Sequence, residues 1–118
     1  MDSALSDEVN HWKLQLMLLQ NENMQFKHQV SELAQGDISG ARLMNLEDFL
    51  SKLIRKDEGI LLLKQDIQTF ERQLNTAGGQ MADPEIKKSA DRIRTELDKL
   101  HYQFVLLKEN FVSHFSNE

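Results

Sequence analysis

Apolar residues fall along this chain in three runs of 3-4-3-4 spacing. The first is Leu5, Val9, Trp12, Leu16, Leu19, Asn23, Phe26, Val30 and Leu33, with one polar member. The second is Leu46, Phe49, Leu53, Lys56, Ile60, Leu63, Ile67, Phe70 and Leu74, again with one polar member. The third is Ile86, Ala90, Ile93, Leu97, Leu100, Phe104, Leu107 and Phe111. This repeat puts an apolar seam along one side of an α-helix and leaves the other faces polar. No alternating strand pattern and no Gly-rich phosphate loop accompanies it.

Breakers separate the runs. Gly36-Asp37-Ile38-Ser39-Gly40 divides the first from the second, and Gly78-Gly79 ends the second. Asp83-Pro84-Glu85 supplies an N-cap, a proline at the first helical position and an acid behind it, the sharpest helix start in the chain. Ser6 reads as the cap of the first helix, with Asp7 and Glu8 in its first turn. The second helix starts near Ser39, or at Asn45 with Asp48 three residues on. Helices are therefore predicted over about 6–35, 42–77 and 84–115. Each is about 30 residues and so about 45 Å long. Short connections make sequence neighbours antiparallel. The predicted fold is all-α: one elongated, up-down-up three-helix bundle with coiled-coil-like packing, a single domain over residues 1–118. Trp12, Leu16, Phe26, Leu53, Ile67, Phe70, Ile93, Leu97 and Phe104 are its expected core. Gly59 is the one glycine inside a helical run, either where a neighbour comes close or as a tolerated weak point.

Two polar residues sit on the seams. Counted from the helix ends at about 1.5 Å per residue, Asn23 and Lys56 lie within about one turn of each other, level with Phe104. They form either a polar layer that fixes register, or a half-buried Asn23 beside a Lys56 that extends out to solvent.

Off-seam apolar residues exceed what a central core requires: Leu14, Met17, Leu18 and Met24; Leu50, Ile54 and Leu62; Val105, Leu106, Val112 and Phe115. Some are expected to widen the core. The rest are expected to form one patch in the middle and upper bundle, with Leu14, Leu18, Ile54, Leu106, Val112 and Phe115 as its interface residues. A homodimer follows as the expected assembly, since two-fold dimers are the commonest closed form.

Composition narrows the partners. The formal net charge is −5, with the basic residues dispersed. Nucleic acid and anionic membrane surfaces both select for Lys and Arg, so neither is expected as a partner. The longest unbroken apolar run is four residues, Ile60 to Leu63, against about 20 for a membrane span. With no cysteine, disulfides and thiolate metal sites are excluded. The acidic start, Met1 to Glu8, does not read as a signal peptide, and a cytoplasmic location is expected.

Candidate chemistry is sparse. A ferritin-like centre needs Glu-x-x-His pairs facing a bundle core. The nearest approximations are Glu8 with His11 and Asp98 with His101. The heptad phase turns His11 and Asp98 away from the seams, and the two histidines differ in height by roughly 13 Å. A site built from them would have to assemble across a dimer. No bound cofactor or metal is expected, and no nucleophile–base arrangement stands out.

Several segments carry a resemblance. Leu46-Glu47-Asp48-Phe49 with Leu53-Ile54-Arg55, Glu58, Ile60, Leu63-Lys64 and Asp66-Ile67 resembles a stretch of small helical-bundle proteins of Bacteroidetes-type bacteria. Trp12, Leu16, Glu22, Phe26 and Val30-Ser31-Glu32-Leu33 resemble that group's first helix, and Leu107-Lys108-Glu109-Asn110-Phe111 its last. Gly59 and Gln65 depart from the pattern. The resemblance implies a helical bundle and brings no catalytic residue or ligand with it. Trp12 also resembles the first-helix tryptophan of spectrin-type repeats, but the third helix here has none. Sequence alone thus points to a non-enzymatic, self-associating interaction or adaptor module, able to dock another protein. The alternative is a ferritin-like metal-carboxylate protein with its site shared across a dimer.

Overall fold

The computed structural model describes residues 3–36, 38–76 and 84–115. Three helices account for nearly all of them: α1 (Ser3–Ala34), α2 (Gly40–Thr76) and α3 (Pro84–Phe115). They lie side by side in a rod of 58 × 19 × 18 Å. Two ion pairs show that α1 and α2 are antiparallel. Lys13 meets Glu71 and Lys27 meets Asp57, so fourteen residues up α1 match fourteen residues down α2. Phe49 against Phe111 and Lys56 against Gln103 set α2 and α3 antiparallel in turn. Glu8 against Arg94 and Phe26 against Phe111 make α1 and α3 parallel. This is the expected up-down-up bundle.

Local chemistry explains the ends. Ser39 Oγ accepts a hydrogen bond from the Arg42 backbone N–H at 3.3 Å, and its carbonyl accepts from Leu43 N–H at 3.0 Å. That makes Ser39 the N-cap of α2 and leaves Asn45 inside the helix. The end of α1 tightens: Gln35 N–H is shared between the Ser31 and Glu32 carbonyls, and Gly36 N–H donates to Leu33 O, all at 3.2 Å. Ser6 is not a cap, because α1 already runs from Ser3. Pro84 is the first residue of α3, as expected, while Asp83 lies outside the described residues.

Among the described residues the core is the three seams and little else. Every apolar seam residue is buried except Leu33, which is 41% exposed in the last turn of α1, past the layer of Phe26, Phe111 and Phe49. Widening of this core is slight. Leu50, Ala34 and Ile38 are half-buried against it, while Leu14, Met17, Leu18, Met24, Ile54, Leu62, Val105, Leu106 and Val112 are exposed. Trp12 meets Phe70 with ring centroids 5.4 Å apart in the lower half. Phe26, Phe49, Phe104 and Phe111 join edge-to-face in the upper half, where centroid separations of 4.9 to 6.1 Å favour the contact of ring edge with ring face.

Helix α1 packs closely on α2, and α2 on α3, whereas α1 and α3 are the loosest pair. Gly59 sits in the α2–α3 contact. A Cβ there would lie 3.2 Å from Leu100 Cδ2, so the glycine marks a close approach. None of the described helices is long and apolar enough to cross a membrane.

Candidate functional site

The seam is interrupted at mid-height. Asn23 is fully buried, and its Nδ2 donates to Leu53 O at 3.0 Å and to Asp57 Oδ1 at 2.6 Å. The other oxygen of Asp57 accepts from Lys27 Nζ. Asn23 Oδ1 has no protein partner. Lys56 lies between Leu53 and Asp57 in sequence but turns the other way, donating from Nζ to Gln103 Oε1 on α3. Burial, and secondarily the charge of Lys99, hold its amine below the usual lysine range. Asn23 and Lys56 therefore do not form a layer together. The layer is Asn23, Asp57 and Lys27, because an asparagine amide donates and needs the carboxylate that Asp57 offers.

Charged clamps flank the seam. Arg94 grips Glu8 through two nitrogens, each 2.6 Å from a carboxylate oxygen, and adds Asp91 at 2.7 Å. Hydrogen bonding from Arg94 is the main reason that Glu8 sits below its ordinary value of about 4.5. Glu8 is thus committed to a structural pair. His11 and His101 are exposed. Asp98 and His101 border an open groove between α1 and α3, beside Glu22 and Leu18. Among the described residues no three His, Asp or Glu side chains stand close enough to hold one metal ion. The Glu8, His11, Asp98 and His101 set does not come together within the chain.

The exposed apolar side chains are sorted by the flank they occupy. On α2, Asp57, Lys64, Gln68 and Glu71 face α1, through ion pairs or the lining of a shared groove of about 400 Å³. Ile54 and Leu61 lie three residues before Asp57 and Lys64, on the same side of the helix. On α1, Lys13, Met17 and Gln20 face that groove, and Met24 continues their row. Met17, Met24, Ile54 and Leu61 are 47–57% exposed. They share the α1–α2 flank. The outer rows of this flank read Asn10, Met17, Met24 and Ser31 on α1, and Ile54, Leu61, Gln68 and Asn75 on α2; the α2 row continues to the exposed Glu47, which the register of the Lys13–Glu71 and Lys27–Asp57 pairs places past the end of α1. Not one of these eight positions carries a charge.

The other two flanks differ. Leu18 borders the α1–α3 groove with Glu22, Asp98 and His101. Val112 follows Lys108 on that side, since Lys108 also lines an α1–α3 groove. Leu106 stands three residues from Gln103, which meets α2, and so belongs to the α2–α3 flank. Leu14 lies on the outward face of α1 between the rows of Met17 and Leu18. The side chain of Phe115 lies outside the described residues. The expected single patch of Leu14, Leu18, Ile54, Leu106, Val112 and Phe115 is therefore corrected. Its described members are exposed, but they spread over three flanks, and only Ile54 belongs to the uncharged strip. Met17, Met24 and Leu61 complete that strip. The pairing of Lys13 and Lys27 on α1 with Glu71 and Asp57 on α2 was the sequence signal that could have located it.

Compared with protein-family models, curated proteins and solved structures, the chain matches none, so no residue role comes to it from another protein.

Proposed function

We propose that this chain is a non-enzymatic, self-associating protein-interaction module of the cytoplasm, in which a rigid three-helix rod presents a flank to other helical surfaces. One observation carries the reading. Large apolar side chains remain exposed although the seams already fill the core, four of them gathered on the α1–α2 flank, and clustered exposed apolar surface marks an interaction site. Rows of apolar residues along paired helices suit a partner helix lying in the groove between them. The placement of versatile side chains supports binding over catalysis: His11, His28 and His101 stand on solvent faces, and Glu8 is held by Arg94.

In-cell photo-crosslinking tests this. A photoreactive residue at Gln68, on the uncharged strip, is expected to trap a protein. The same residue at Arg92, on the charged α2–α3 flank, is expected to trap far less. Equal or no capture at both positions would contradict an interaction role for the rod.

A further inference from the structure

Resting on that reading, we infer that the uncharged α1–α2 strip is the interface between two copies of this chain, with Met17, Met24, Ile54 and Leu61 as its apolar anchors. Charge selects the occupant. In a two-fold dimer each face meets a copy of itself, so unpaired charges of one sign meet like charges. A chain of net charge −5 meets itself at least electrostatic cost where such charges are fewest. The α1–α3 flank exposes Glu22, Asp98 and Lys108, besides Glu32, which meets His28, and the α2–α3 flank exposes Arg55, Arg92, Glu96 and Lys99, besides Asp48, which meets Lys52. On the α1–α2 flank the eight outer positions are neutral. The ionic groups that lie between the two rows, partly exposed themselves, are matched within the chain, Lys13 to Glu71 and Lys27 to Asp57. Lys64 is the one remaining charge bordering the groove. A foreign partner drawn by charge complementarity would find more to read on either other flank.

Size agrees. From Asn10 to Ser31 the strip runs about 30 Å along the helix axis. Across a rod 19 Å wide this gives roughly 600 Å² in flat projection, and more as accessible surface. Two such faces together bury about 1,200 Å² or more, above the roughly 1,000 Å² in total that a biological interface clears. The two methionines suit a contact between helices, because unbranched thioether chains adjust to fill gaps.

Light scattering across micromolar concentrations tests the assignment, with circular dichroism to check folding. The wild type is expected at twice the 13.7 kDa chain mass. Leu61→Glu is expected to be a folded monomer, and Met24→Glu on the other helix repeats the test should Leu61→Glu fail to fold. Leu106→Glu, on the α2–α3 flank, is expected to remain a dimer. A monomeric wild type would overturn the assignment and, with it, the self-association in that reading, while leaving the docking of a foreign protein, which the crosslinking at Gln68 tests, in place. A dimer that survives both strip variants would overturn it as well, and its loss in Leu106→Glu would move the contact to the α2–α3 flank.

Discussion

Asn23 on α1 and Asp57 on α2 meet at 2.6 Å at mid-height of the bundle, where Asn23 is the one polar member of the α1 seam, and the bond runs from amide to carboxylate. It ties the two helices at one height. A shift by one turn would bring the Asn23 amide against apolar side chains, so the pair specifies register as well as contact.

This pair yields opposite expectations for its two members. Asp57→Ala leaves a buried amide hydrogen without its acceptor and is expected to cost about 1–3 kcal/mol in urea unfolding. Asn23→Leu removes that hydrogen together with the unpartnered Oδ1, and is expected to be neutral or stabilising. An Asn23→Leu loss as large as that of Asp57→Ala would show that the layer stabilises the fold rather than specifying it.

At Gly59, helix propensity and packing oppose each other. Alanine gains about 1 kcal/mol in a helix interior. Its methyl group would press on the Leu100 Cδ2 end, which borders an open groove with Leu62 and Glu96 and has room to turn. Gly59→Ala is expected to raise stability by about 0.5–1 kcal/mol, read from the urea midpoint at unchanged slope. A loss of stability would mean that Leu100 cannot give way.

Acid sensitivity tests the clamp between the loosest pair of helices. Arg94 lowers the Glu8 pKa in the folded chain, so the unfolded chain binds the proton more readily. The stability contributed by this pair is present above the unfolded value near 4.5 and is lost as pH falls through the lower folded value. Glu8→Gln is expected to change little at neutral pH, because both partners are about one-third exposed. Below about pH 4.5 its melting temperature should fall less steeply than that of the wild type. Parallel curves would remove Glu8 from the acid response.

Much of the fold is legible from the heptads, because a 3-4 beat has one physical solution when Gly and Pro mark its ends. Pro84 and Ser39 start helices for reasons written in their own side chains. Ser6 does not, since a serine caps only where the backbone leaves the helix, and α1 is already helical at Ser3. Leu33 keeps the beat but sits past the last aromatic layer. The sorting of off-seam residues onto flanks is less legible for a different reason. Heptads sort residues as on or off the seam, yet an up-down-up bundle can turn either way, and the turn decides which off-seam rows meet. Leu106 and Ile54 are both off-seam, and only the observed turn decides that Ile54 joins the α1–α2 flank and Leu106 the α2–α3 flank. The charges that specify the turn, Lys13 with Glu71 and Glu8 with Arg94, are far apart in sequence and are recognisable as pairs once the helices are set side by side.

Association through the α1–α2 strip is measured most directly by the dependence of the melting temperature on protein concentration. Binding of a second copy stabilises the folded chain by mass action and leaves a folded monomer indifferent to concentration. Over about a hundredfold range, the wild-type melting temperature is expected to rise with concentration, while that of Leu61→Glu stays flat. A wild-type melting temperature that does not move, or a Leu61→Glu curve that rises in parallel with it, would contradict an interface built on Met17, Met24, Ile54 and Leu61.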